Sequence, residues 1–157
     1  DGERRVLERG TAVPGALPVL GGWGASAGAL SPPAFALFWT LFLWQLPHFL
    51  ALAWVYRDDY RSAELRMLSV EDASGRRTAR MALLYAVALV PVSLLPTLLG
   101  ITGSVYFWGA LLLGLAYVVS GVLMLVDVNR RAWAVFVVSI VYLPMLLTLA
   151  VLDKVRA

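Results

Sequence analysis

The chain has 157 residues, of which 61% are hydrophobic and only 15% charged, with a mean hydropathy of +0.79 and a formal charge of +3. Soluble globular domains run at about 45–50% apolar and about 25% charged residues, so this composition excludes a soluble enzyme and calls for a lipid bilayer. The small net charge gives no support for nucleic-acid binding, and the absence of cysteine excludes disulfides, thiolate metal sites and a cysteine nucleophile.

The first residues, Asp1-Gly-Glu-Arg-Arg-Val-Leu-Glu-Arg-Gly10, contain no apolar stretch of the signal-peptide kind, and the sequence reads as a piece of a longer chain cut within a loop. Five apolar segments follow, at about 13–30, 32–56, 80–101, 104–126 and 132–152. Each is near the roughly 17–25 residues needed to cross a hydrocarbon core. The expected fold class is therefore all-α, a polytopic transmembrane helix bundle of about five spans within one membrane domain. The first segment is short and rich in proline and glycine, and its Gly24-Ala-Ser-Ala-Gly28 spacing suits close approach of another helix.

The second segment holds the only histidine, in Trp44-Gln45-Leu46-Pro47-His48-Phe49. An ionisable group inside a membrane span is costly and marks a functional site by default. Steps of three and four place Gln45, His48, Leu52, Tyr56 and Asp59 on one helical face, a stripe running from inside the bilayer to its surface. Pro47 has no N–H to donate and crowds the Leu43 carbonyl, which predicts a kink beside the histidine. Trp44, Gln45, His48 and Tyr56 are the candidate lining of a substrate cavity. Three readings of His48 stay open: a hydrogen bond to a partner helix, ligation of iron or another metal, or a contact with a polar substrate group. Trp23, Trp39, Trp44, Trp54, Trp108 and Trp133 otherwise suit an interfacial belt or packing.

Arg57-Asp58-Asp59-Tyr60-Arg61 then ends this segment. Adjacent carboxylates at a membrane interface suit Mg²⁺, which takes one or two protein carboxylates and completes its shell with waters and substrate phosphates. Arg57 and Arg61 can clamp phosphate oxygens, and Tyr60 stands with them among the candidate substrate contacts. Together they suit a Mg²⁺-diphosphate leaving group above an apolar cavity for a hydrocarbon tail. A positively charged flank with internal ion pairs explains the same residues without chemistry. The connection at about 57–79 is far longer than the usual roughly 2–8 residues between bundle helices, and Ser69-Val-Glu-Asp72 has capping-box spacing. Arg4, Arg5 and Arg9, the arginines of the long connection, and Arg130 with Arg131 all fall in alternate loops. These basic loops are expected on the cytoplasmic side, with a bacterial plasma (inner) membrane as the expected setting. Asp127-Val-Asn129-Arg130-Arg131 reads as a solvated turn.

The Trp44–Phe49 string, with Ala51-Leu52-Ala53 and Tyr56–Tyr60, resembles the protohaem IX farnesyltransferase (haem O synthase) family. That family lies within the UbiA-type intramembrane aromatic prenyltransferases. Val13–Pro18 with Gly22-Trp23, Met67–Val70 with Gly75–Thr78, Arg130-Arg131-Ala132 and Tyr142-Leu143-Pro144 extend the resemblance over nearly the whole chain. It implies a nine-helix fold, with this chain corresponding to about helices five to nine and the missing N-terminal helices as partners. It also implies transfer of the farnesyl group of farnesyl diphosphate to a vinyl group of haem B, with Mg²⁺ as cofactor and Asp59, assisted by Asp58, as metal ligand and catalytic residue. Two departures stand out. Ala63-Glu64-Leu65-Arg66-Met67-Leu68 lacks the family's glycine and proline, and the family's first Asn/Asp-rich motif is expected in helices preceding this sequence. A sibling enzyme acting on a quinone or chlorophyll precursor calls for aspartates spaced four apart, whereas Ser62 and Ala63 follow Asp58 and Asp59 at that spacing. A non-enzymatic bundle or transporter calls for paired broken helices, and the kink expected at Pro47 is read as standing without a counterpart.

Overall fold

The structure is a computed structural model and describes residues 31–62 and 72–154. Six helices occur among them: α1 (Pro32–Val55), α2 (Arg57–Ser62), α3 (Arg76–Ser93), α4 (Leu95–Leu98), α5 (Ser104–Val126) and α6 (Val128–Leu152). Pro32–Val55, Arg76–Leu98, Ser104–Val126 and Val128–Leu152 are long and apolar enough to cross a membrane. The all-α helix bundle read from the sequence is the observed architecture. The segment at 13–30, with Gly24 and Gly28, lies outside the described residues, as do Ala63–Val70.

Local chemistry accounts for the helix ends. α1 opens on Pro32 and Pro33, whose missing N–H groups fall where a helix has no internal acceptor for them. It continues through Pro47, which leaves the Leu43 carbonyl without its helical donor; next to it, the Tyr117 hydroxyl donates to the Trp44 carbonyl at 3.2 Å. At Tyr56 the backbone leaves helical geometry (φ −100°, ψ 18°), so Asp58 and Asp59 belong to a separate short helix. α3 begins at Arg76, ahead of the expected 80, because Asp72 accepts from the Thr78 amide at 2.8 Å and Gly75 turns the chain at φ 69°. α6 begins at Val128, ahead of the expected 132. Asp127 caps it by accepting from the Arg130 amide at 3.2 Å, so Asp127–Arg131 is a capped helix start and not a solvated turn.

α1 packs on α3 and α6, and α5 packs on the same two helices, closing a ring of four. Fully buried alanines (Ala51, Ala79, Ala86, Ala110, Ala132) bring the backbones together, as membrane helices need when lipid is as apolar as the side chains. Tyr106, Tyr117 and Tyr142 fill the space between. Leu84, Leu112, Val119 and Val126 point outward, the surface a bilayer covers. Trp39, Trp108 and Trp133 are exposed and suit the belt reading, whereas Trp54 is buried.

The chain direction gathers charge at one end of the ring. The end of α1, the start of α3 and the α5–α6 turn meet there, bringing Arg57, Arg76, Arg77, Arg80, Arg130 and Arg131 to one side. Gly75 sits beneath this end. A Cβ there would lie 2.7 Å from the Trp54 ring and 2.9 Å from Val128, in a backbone conformation L-residues avoid. Gly75→Ala is therefore expected to destabilise the protein by at least about 2 kcal/mol, combining the left-handed penalty with overpacking. The midpoint of thermal unfolding in detergent measures it.

Candidate functional site

Two clusters carry the polar chemistry, and α1 links them. The inner one lies where α1 crosses α6. Trp44 and His48, one turn apart, both reach Ser139: the Trp44 indole N–H donates to the Ser139 carbonyl at 2.8 Å, and His48 Nδ1 lies 2.7 Å from Ser139 Oγ. The His48 ring is stacked between Trp44 (5.3 Å, 22°) and Phe136 (5.1 Å, 28°), with Phe49 edge-on at 5.4 Å. Of the three readings of His48, the hydrogen bond to a partner helix is thus observed. Along the predicted stripe, Gln45 is buried, His48 and Leu52 are partly buried, and Tyr56 and Asp59 are exposed.

The outer cluster ties α1 to the α5–α6 turn. The Arg57 guanidinium lies 4.2 Å above the Trp54 ring, and its Nη1 donates to Asn129 Oδ1 at 2.9 Å. The Trp54 indole N–H donates to the same oxygen at 3.3 Å, and Arg57 Nε stands 3.7 Å from Asp58 Oδ1. Arg57, read from the sequence as a phosphate contact, is engaged here in holding the end of α1. Asp58 and Asp59 occupy the first turn of α2, exposed on the basic end of the ring. Tyr60 and Arg61 continue that helix, and their side chains lie outside the described residues.

Among the described residues no three His, Cys, Asp or Glu side chains gather around a point. Two adjacent exposed carboxylates fit Mg²⁺, a cation that keeps its waters and takes its remaining oxygens from substrate phosphates. Sequence reasoning missed Ser139, Asn129 and Tyr117. A lone serine within an apolar span and an asparagine two residues past a capping aspartate are the signals that could have drawn attention to the first two.

Asp72 closes the basic end from below α3. Its carboxylate accepts from the Thr78 amide (2.8 Å) and hydroxyl (3.1 Å) and from Ser74 (3.2 Å). Burial pushes its carboxyl up, but these bonds and one from the Gly75 amide outweigh it and hold the group below the usual 3.8. A carboxyl depressed in the folded state stabilises it fully above the unfolded value, and that contribution fades as pH falls through about 4. Asp72→Ala is expected to cost about 1 kcal/mol at neutral pH, as lost helix caps do. The gap from the parent should shrink below pH of about 4, which unfolding curves at two pH values will reveal.

A model of the UbiA prenyltransferase family matches residues 11–150. The protoheme IX farnesyltransferase of Solibacter usitatus is 46% identical over 144 residues, covering 91% of this chain and 49% of the relative. That of Koribacter versatilis is 42% identical over 151 residues with the same shares, and that of Opitutus terrae 41% over 145, again with the same shares. The chain spans about half the length of the curated relatives it matches. No solved structure matches it.

Proposed function

This chain belongs to the UbiA prenyltransferase family, and on that premise we propose that it forms part of an integral-membrane enzyme that farnesylates haem B to haem O. The observation that carries the reading is the 46% identity to a protoheme IX farnesyltransferase over 91% of the chain. The arrangement along α1 and α2 supports it. His48 stands within α1 and Asp59 in the first turn of α2, so the partly buried imidazole and the exposed carboxylates lie on consecutive helices joined at Tyr56.

In this reading Asp59, assisted by Asp58, would hold Mg²⁺, which would supply positive charge to the diphosphate leaving group. The basic end of the ring faces the cytoplasm of a bacterial cell, following the loop arginines. Arg57 fixes the end of α1 through Asn129 and Trp54 and so sets where the two carboxylates stand. His48, with Trp44, Gln45 and Tyr56, lines the haem pocket within the bilayer. The C1–O bond of farnesyl diphosphate breaks and diphosphate leaves. The terminal carbon of a haem vinyl group bonds to C1, and the carbon beside the ring takes a hydroxyl from water, releasing a proton.

The full-length protein in membranes, given labelled farnesyl diphosphate with haem B and an aromatic quinone precursor together, tests the acceptor. Label is expected in the haem fraction. Label in the quinone precursor instead would move the enzyme to the sibling class.

A further inference from the structure

We propose that Ser139 is a positioning residue that fixes the proton of His48 on Nδ1, so that the Nε2 lone pair ligates the iron of the haem substrate. The inference rests on the haem-acceptor reading and adds how the acceptor is held. Ser139 has one hydroxyl hydrogen, and its oxygen stands within hydrogen-bond distance of both the Phe136 carbonyl and His48 Nδ1; a carbonyl can only accept, so both bonds form together only when that hydrogen goes to Phe136. Toward His48 Nδ1, 2.7 Å away, the same oxygen therefore accepts. A neutral imidazole that donates from Nδ1 has its lone pair on Nε2. No hydrogen bond reaches that nitrogen among the described residues.

The surroundings hold the ring in this pose. Trp44 and Phe136 cover its two faces, and the Trp44 indole is itself pinned to the Ser139 carbonyl. Rotation about the side chain is blocked while the ring remains only partly buried. A nitrogen donor binds iron along a direction in the ring plane, so covered faces with an unbonded edge are the geometry of a ligand. Metal-bound histidines generally donate their other ring N–H to an oxygen, which fixes the tautomer and raises ligand basicity. Here Ser139 Oγ is that oxygen. A histidine serving packing alone would leave Nε2 without a partner among the described residues of an apolar span, which is costly.

Resonance Raman spectroscopy of the full-length protein in lipid nanodiscs with ferrous haem B tests this. The parent is expected to show an iron–histidine stretch that His48→Ala lacks. Ser139→Ala should keep the stretch at lower frequency, because the donated Nδ1 proton loses its acceptor, and should weaken haem binding by roughly 10- to 100-fold. Ser139→Thr, which keeps the hydroxyl, should restore both. Parent protein that binds and farnesylates haem without an iron–histidine stretch would overturn the inference and leave the haem-acceptor reading intact. A stretch unmoved in Ser139→Ala would overturn the role of Ser139. Parent protein that neither binds nor farnesylates haem would overturn both.

Discussion

Asp59→Asn in the full-length protein is expected to lower haem O formation by roughly two to three orders of magnitude, the scale seen when one preorganised charge partner of a reacting group is removed. The substitution keeps the size and shape of the side chain and removes one negative charge. An asparagine oxygen is a far poorer partner for a hard divalent cation, so the cost falls on neutralising the leaving group. Asp59 is exposed in the first turn of α2, and the contacts tying α1 to α6 run through Trp54, Arg57 and Asn129 at this end and through Trp44, His48 and Ser139 further in. Insertion and detergent stability are therefore expected to stay near the parent values. Asp58→Asn should lose less, since Asp58 also stands beside Arg57. Turnover of Asp59→Asn near that of the parent across a Mg²⁺ titration would remove Asp59 from the metal site.

Residues 1–157 expressed alone are expected to yield no haem O above background. The chain spans about half the length of its relatives, and one pair of adjacent carboxylates leaves most of a cation's shell and the substrate geometry unset. Misplacement of reacting groups by an ångström can cost about 100-fold, and here a whole side of the site would be undefined. Co-expression with the remaining helices of a relative is expected to recover activity, because insertion and packing of membrane helices are separable stages. Product mass spectrometry on membranes carrying residues 1–157 alone decides the point: haem O there would mean that one acidic pair suffices.

Hydropathy made the apolar segments at 104–126 and 32–56 legible, and they correspond to α5 and α1. The same signal placed α3 and α6 too late, because arginines at a membrane surface read as loop although they sit in the first helical turns. Their true starts depend on single hydrogen bonds from Asp72 and Asp127. Within the site, the motif around His48 was conspicuous as the sole histidine in an apolar run. Its partner Ser139 was not, since 91 residues separate the pair and only the crossing of α1 and α6 joins them. Arg57 shows the converse: its charge beside two aspartates suggested a phosphate clamp, and the fold gives it Asn129, 72 residues away.

The most direct test of the account is the mass of the haem product formed by the purified full-length protein with haem B, farnesyl diphosphate and Mg²⁺. The account predicts haem B plus the elements of farnesol, with one diphosphate released per product and none when Mg²⁺ is chelated. Haem B recovered unchanged, from protein that binds it and is supplied with farnesyl diphosphate and Mg²⁺, would contradict it.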